Sequence, residues 1–87
     1  MKTVEMESVN VITAFIMLKI EGDFQQSVMD QVKEWEEVRE CCIMFGEYDC
    51  VIKAEFISNK ALSSFITERV AHLQGVVDSI TNVCAEF

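Results

Sequence analysis

The side chains best able to do chemistry in one place are Gly46-Glu47-Tyr48-Asp49, where a glycine, two carboxylates and the chain's one tyrosine interrupt the run CCIMFGEYDCVIKAEFI (Cys41–Ile57). These types bind by hydrogen bonding, and they are also those of an ordinary polar turn. In such a turn Gly46 takes a positive φ and Asp49 accepts hydrogen bonds from the turn's own backbone. Ser79 and Thr81, on one alternating set of the last apolar segment, either line something polar or reflect the β-propensity of small hydroxyl residues. The cysteines form no metal motif: Cys41 and Cys42 are adjacent on a strand and point to opposite faces, and Cys50 and Cys84 have no CxxC spacing. They are expected to be buried free thiols acting as small apolar residues. His72 has no Ser, Cys or carboxylate placed beside it by spacing, and Gly22, Gly46 and Gly75 are too isolated for a phosphate loop. No catalytic residue, metal or cofactor is expected.

The elements that position these residues must fit in one domain, since 87 residues leave no room for a second. A chain this short is marginal as a monomer, which favours oligomerisation. No uncharged apolar run is long enough to span a bilayer, and MKTVEMESVN lacks the apolar region of a signal peptide, so the expected location is the cytoplasm. A net charge of −8 with seven scattered basic residues argues against direct nucleic-acid binding.

Residues 1–9 read as a lead-in and residues 10–87 as the domain. From Val11 to Ile20 both alternating sets are largely apolar, with Ile12, Ala14, Ile16, Leu18 and Ile20 on one side and Phe15 and Met17 on the other. This predicts a strand buried on both faces. Asp23 and Gln26 resemble a capping box for a helix from Phe24, whose apolar stripe is Phe24, Val28, Val32 and Trp35. Glu34, Glu36, Glu37 and Glu40 read as a solvated face and helix end. Strands follow over Val38–Phe45 and Cys50–Ile57. Ser58 or Asn59 then caps a second helix running to about Leu73, Gly75 ends it, and a last strand runs from Val76 to about Phe87.

The order strand, helix, strand, strand, helix, strand predicts an α+β, ferredoxin-like βαββαβ domain, a four-stranded antiparallel sheet with two helices on one face. The doubly apolar first strand implies that the other face is covered, most simply by the same face of a second subunit.

AFIMLKIEGDF (Ala14–Phe24), EVRECCIMFGEYDCVIKAEF (Glu37–Phe56) and LQGVVDSITN (Leu73–Asn82) together resemble the effector-binding, or RAM, domain of the Lrp/AsnC transcription regulators. The resemblance covers about Asn10 to Phe87, and FGEYDCVIKAEF is similar to that family's glycine, any residue, tyrosine-like residue, aspartate hallmark. It implies dimers paired through their sheets and assembled further into rings, commonly octamers. It also implies that an amino acid or similar small molecule binds between dimers at Gly46, Tyr48 and Asp49, with Glu47 alongside. In that role glycine admits the ligand to backbone amides, while tyrosine and aspartate bond a zwitterion's carboxylate and ammonium. Only about ten residues precede the first strand, where full-length members carry a helix-turn-helix domain, so the expected form is stand-alone. Regulation would then be indirect, for instance through co-assembly with full-length relatives. The competing readings are an ACT-type regulatory domain, which the GEYD loop argues against, and a dimeric α/β-barrel enzyme of the monooxygenase kind. That enzyme would need a polar pocket between sheet and helices.

Overall fold

The computed structural model describes residues 11–84. The expected lead-in, a strand start at Asn10 and a strand end at Phe87 lie outside them. The elements are β1 (Ile12–Ile20), α1 (Gln25–Val32), β2 (Val38–Ile43), β3 (Cys50–Phe56), α2 (Asn59–Glu68) and β4 (Val76–Val83). All sheet pairings are antiparallel, in the order β2-β3-β1-β4. This is the ferredoxin-like arrangement.

The two central strands carry the alternation that organises the core. Ala14, Ile16, Leu18 and Ile20 of β1 lie beside Cys50, Ile52, Ala54 and Phe56 of β3, all buried. Val28, Met29 and Val32 of α1 and Leu62 and Phe65 of α2 join the same cluster, which places both helices on one face. Each fully buried Ile, Leu or Phe here contributes about 1.5–3 kcal/mol. Phe15, Met17 and Val51 point to the opposite, bare face, where they are only half-buried.

The helix ends differ from their sequence signals. Asp23 forms no capping box, because it lies inside a 3₁₀ turn, Gly22–Phe24, closed by the Phe24 N–H donating to Glu21 O at 2.9 Å. The α-helix therefore begins at Gln25 without a side-chain cap and ends at Val32, before Trp35. Trp35 nevertheless packs on the core, edge-on to Phe65 with ring centroids 5.2 Å apart. Ser58 does cap α2, its hydroxyl accepting the Ala61 N–H at 3.0 Å, a bond of about 1 kcal/mol. That helix stops at Glu68 and gives way to a 3₁₀ turn, Val70–His72.

Gly75 has φ +97°, and a Cβ there would stand 2.2 Å from the Phe24 Cβ. Its carbonyl accepts the Glu21 N–H at 2.9 Å, so only glycine lets the ends of β1 and of the 3₁₀ turn meet so closely. Glu37 departs from the expected solvated face. It is half-buried and bonded to Arg69 Nη2, and the Arg69 guanidinium lies 5.2 Å from the Trp35 ring and 4.7 Å from the Phe65 ring.

Candidate functional site

The hairpin strands end earlier than their apolar runs. β2 stops at Ile43 and β3 at Phe56, which leaves residues 44–49 as the connecting loop. Phe45 projects from it, 99% exposed. Met44 N–H donates to Asp49 O at 2.9 Å and closes the loop base. Gly46 does not have the expected positive φ, Gly75 alone having one among the described residues, and the space where a Cβ would stand at Gly46 is open. A longer loop distributes its reversal over several residues, so no single one needs a left-handed conformation. Among the described residues no oxygen accepts the N–H groups of Phe45, Gly46, Glu47 or Tyr48. This is a run of available donors at the surface.

Asp49 is turned away from its expected task of bonding the loop's own backbone. Its Oδ2 accepts the Ile20 N–H at 2.7 Å, and its own N–H donates to Leu18 O at 2.8 Å. One carboxylate oxygen is thus committed to fixing the loop against the end of β1. Tyr48 reaches the other way: its hydroxyl lies 3.5 Å from Asp78 Oδ2, and Lys19 Nζ sits 5.8 Å from its ring centroid. Partial burial, together with the neighbouring Asp78 and Glu47 carboxylates, pushes the Tyr48 phenol up. It stays protonated and remains a donor.

Lys19 and Asp78 are register partners across β1 and β4, next to a bulge where Ile20 pairs with Val76 and Val77 is left over. They carry the bare face's charges at this end of the sheet. Ser79 and Thr81 pair with the buried Leu18 and Ile16 and so lie on the helix face, half-buried. The six residues singled out in the sequence therefore divide. Tyr48 joins Lys19 and Asp78 on the bare side, Gly46 and Glu47 stand at the loop tip, Asp49 braces β1, and Ser79 and Thr81 occupy the other face of β4. Lys19 and Asp78 were missed. The one available signal was an opposite charge on the outward set of each strand, beside Met17 in β1 and Ile80 in β4.

The cysteines are not uniformly buried as expected. Cys50 is buried and Cys41 half-buried against the core, whereas Cys42 and Cys84 are exposed, Cys42 because it pairs with Val51 and points to the bare face. Burial, with Cys41 nearby, pushes the Cys50 thiol up to about 11. Among the described residues no group of three or more His, Cys, Asp or Glu could hold a metal ion, and no helix is long and apolar enough to cross a membrane. A depression of about 120 Å³ on the bare face is lined by Phe15, Glu40, Cys41, Cys42, Val51 and Lys53. Between sheet and helices the buried side chains are all apolar among the described residues, unlike the polar pocket a barrel enzyme would place there.

A family model described as the Lrp/AsnC ligand binding domain matches residues 13–86. No curated protein sequence matches. Among solved structures, FFRP-DM1 is 30% identical with a TM-score of 0.83, the match covering 85% of this chain and 99% of that one. The hypothetical protein PHS023 from Pyrococcus horikoshii is 29% identical with a TM-score of 0.81, covering 87% and 92%. The Neisseria meningitidis transcriptional regulator NMB0573, solved with L-Met, is 28% identical with a TM-score of 0.84; the match covers 99% of this chain and 58% of that one.

Proposed function

The chain belongs to the Lrp/AsnC ligand-binding domain family, and from that membership we propose that it is a non-enzymatic sensor of amino acids or related small molecules. It acts in transcriptional or metabolic regulation through assembly of its subunits in the cytoplasm. The observation that carries this reading is the hairpin tip, where among the described residues the N–H groups of residues 45–48 have no acceptor and the space beside Gly46 is open. Backbone donors of this kind suit a carboxylate. The L-Met held by the Neisseria relative supports an amino acid as the ligand class.

The sheet's bare face supports the assembly. Phe15, Met17, Val51 and Ile80 present apolar surface between charged margins, the composition of an isologous contact with a second copy. Related domains on longer chains are the other occupants of that face. Dimers formed through it then meet at their hairpin tips, and the ligand lies between them, reached by Gly46, Glu47, Tyr48 and Asp49.

Native mass spectrometry of the reduced protein, alone and with a panel of amino acids, tests the proposal. The expected result is an even-numbered assembly larger than a dimer, holding one amino acid per subunit or per subunit pair. A plain dimer indifferent to the panel would overturn it.

A further inference from the structure

We infer that Lys19 and Asp78 are the charged ends of the effector site and restrict it to free α-amino acids, those with ammonium and carboxylate both unblocked. The inference rests on the sensing role proposed above and names two residues beyond the hairpin motif. It starts from an opposite-charge pair that has not closed. Lys19 and Asp78 face each other across adjacent strands, a position from which such side chains ordinarily meet, yet no ion pair within 4.0 Å joins them. Tyr48 stands between, with Lys19 over its ring and Asp78 at its hydroxyl. The Tyr48 side chain thus meets a cation at its ring and an anion at its hydroxyl, on the residue that ends the run of loop N–H groups.

Both groups have capacity to spare. Asp78 Oδ1 accepts the Ser79 N–H at 2.9 Å and Oδ2 meets only the long Tyr48 contact, which leaves lone pairs for an ammonium. Lys19 keeps its three N–H donors off every described carboxylate. The bulge at Val77 brings Asp78 into register with Lys19 at this end of the sheet, where bulges commonly re-aim a side chain. Asp49 is half-buried and turned toward the Ile20 N–H, whereas Asp78 is exposed on the surface that Lys19 and Tyr48 share. In this arrangement the ligand's ammonium goes to Asp78 and its carboxylate to Lys19 and the loop N–H groups.

Isothermal titration of the full chain and of its Lys19→Met and Asp78→Asn variants, each with free amino acids and with their N-acetyl and carboxamide forms, tests this. Both side chains are exposed, and comparing derivatives within one variant removes any effect of folding. The wild type is expected to prefer the free amino acid. Asp78→Asn should weaken the free form by roughly tenfold or more while leaving the N-acetyl form unchanged, the size expected for a hydrogen bond to a charged group. Lys19→Met should do the same relative to the carboxamide. If the wild type binds but either blocked form binds equally well, or neither variant changes affinity, the clamp is wrong and the sensing role stands. If the wild type binds no amino acid, both fall.

Discussion

Asp49 Oδ2 accepts the backbone N–H of Ile20 at 2.7 Å, across 29 residues of sequence. Ile20 lies beyond the last β1–β3 register pair, Leu18 with Cys50, so the carboxylate substitutes for the missing strand and extends the ladder. The residue that most resembles a ligand contact in the sequence is also a structural brace.

Replacing Asp49 should therefore show in stability as well as in binding. Asp49→Ala leaves a partly buried N–H unpaired and is expected to cost about 1–3 kcal/mol in urea denaturation. Asp49→Asn retains an acceptor oxygen and should lose less. Equal stabilities for all three proteins would show that the bond contributes nothing.

The Glu37–Arg69 pair should make the fold acid-sensitive. Burial works to raise the Glu37 carboxyl, but the Arg69 hydrogen bond and the charges of Arg69 and Arg39 outweigh it and hold the group below its ordinary 4.5. A depressed folded value stabilises above the unfolded value, and that contribution is lost as pH falls through the folded one. Thermal melts from pH 7 downward should fall away below about pH 4.5 in the wild type, and less steeply in Glu37→Gln. Parallel curves for the two would refute the pairing.

Thiol labelling should separate the four cysteines. In the native protein at pH 8, a thiol reagent is expected to modify the exposed Cys84 quickly, Cys42 only as far as a second copy leaves the bare face open, and Cys41 slowly, while the buried Cys50 waits for denaturant. Because the Cys50 thiol lies at about 11 when folded against an ordinary 9.0, the unfolded chain releases its proton first, and stability should decline as pH rises above 9. Fast labelling of Cys50 in native protein would contradict its burial.

Gly75 should tolerate no side chain. Both its φ of +97° and the 2.2 Å approach of the Phe24 Cβ oppose a methyl group, so Gly75→Ala is expected to lower stability by at least about 1–3 kcal/mol. Chemical denaturation gives the number directly. A near-neutral result would mean that the Phe24 ring moves aside freely.

Phe45 should act on assembly alone. A fully solvated aromatic at a loop tip adds nothing to the core. Phe45→Ser is thus expected to leave the melting temperature unchanged while reducing the proposed assembly of dimers to single dimers on a sizing column. An unchanged assembly would remove the hairpin tip from the proposed contact between dimers.

Much of this fold was legible because its main strands carry strong patterns. Cys50, Ile52, Ala54 and Phe56 alternate without exception, and Ser58 sits where a cap should. The helix ends were less legible, since Phe24 and Trp35 belong by periodicity to α1 but are held by backbone turns and by packing on Gly75 and Phe65. Within the candidate site the loop could be found from its composition. The partners of Tyr48 could not, because Lys19 and Asp78 are 59 positions apart and become neighbours only through the β1–β4 register. Arg69 over Trp35, and its bond to Glu37, escaped for the same reason.

The leftover residue at Val77 also sets how β4 can change in length. Val76 faces the helices with Ile20, and Ser79, Thr81 and Val83 face them with Leu18, Ile16 and Ala14, although 76 and 79 have opposite parity. The bulge absorbs that mismatch. Losing Val77 would leave both faces of the strand as they are, whereas losing a residue further along would turn every following side chain over. Length variation in this strand is therefore tolerable at one point, immediately beside the Lys19–Asp78 pair.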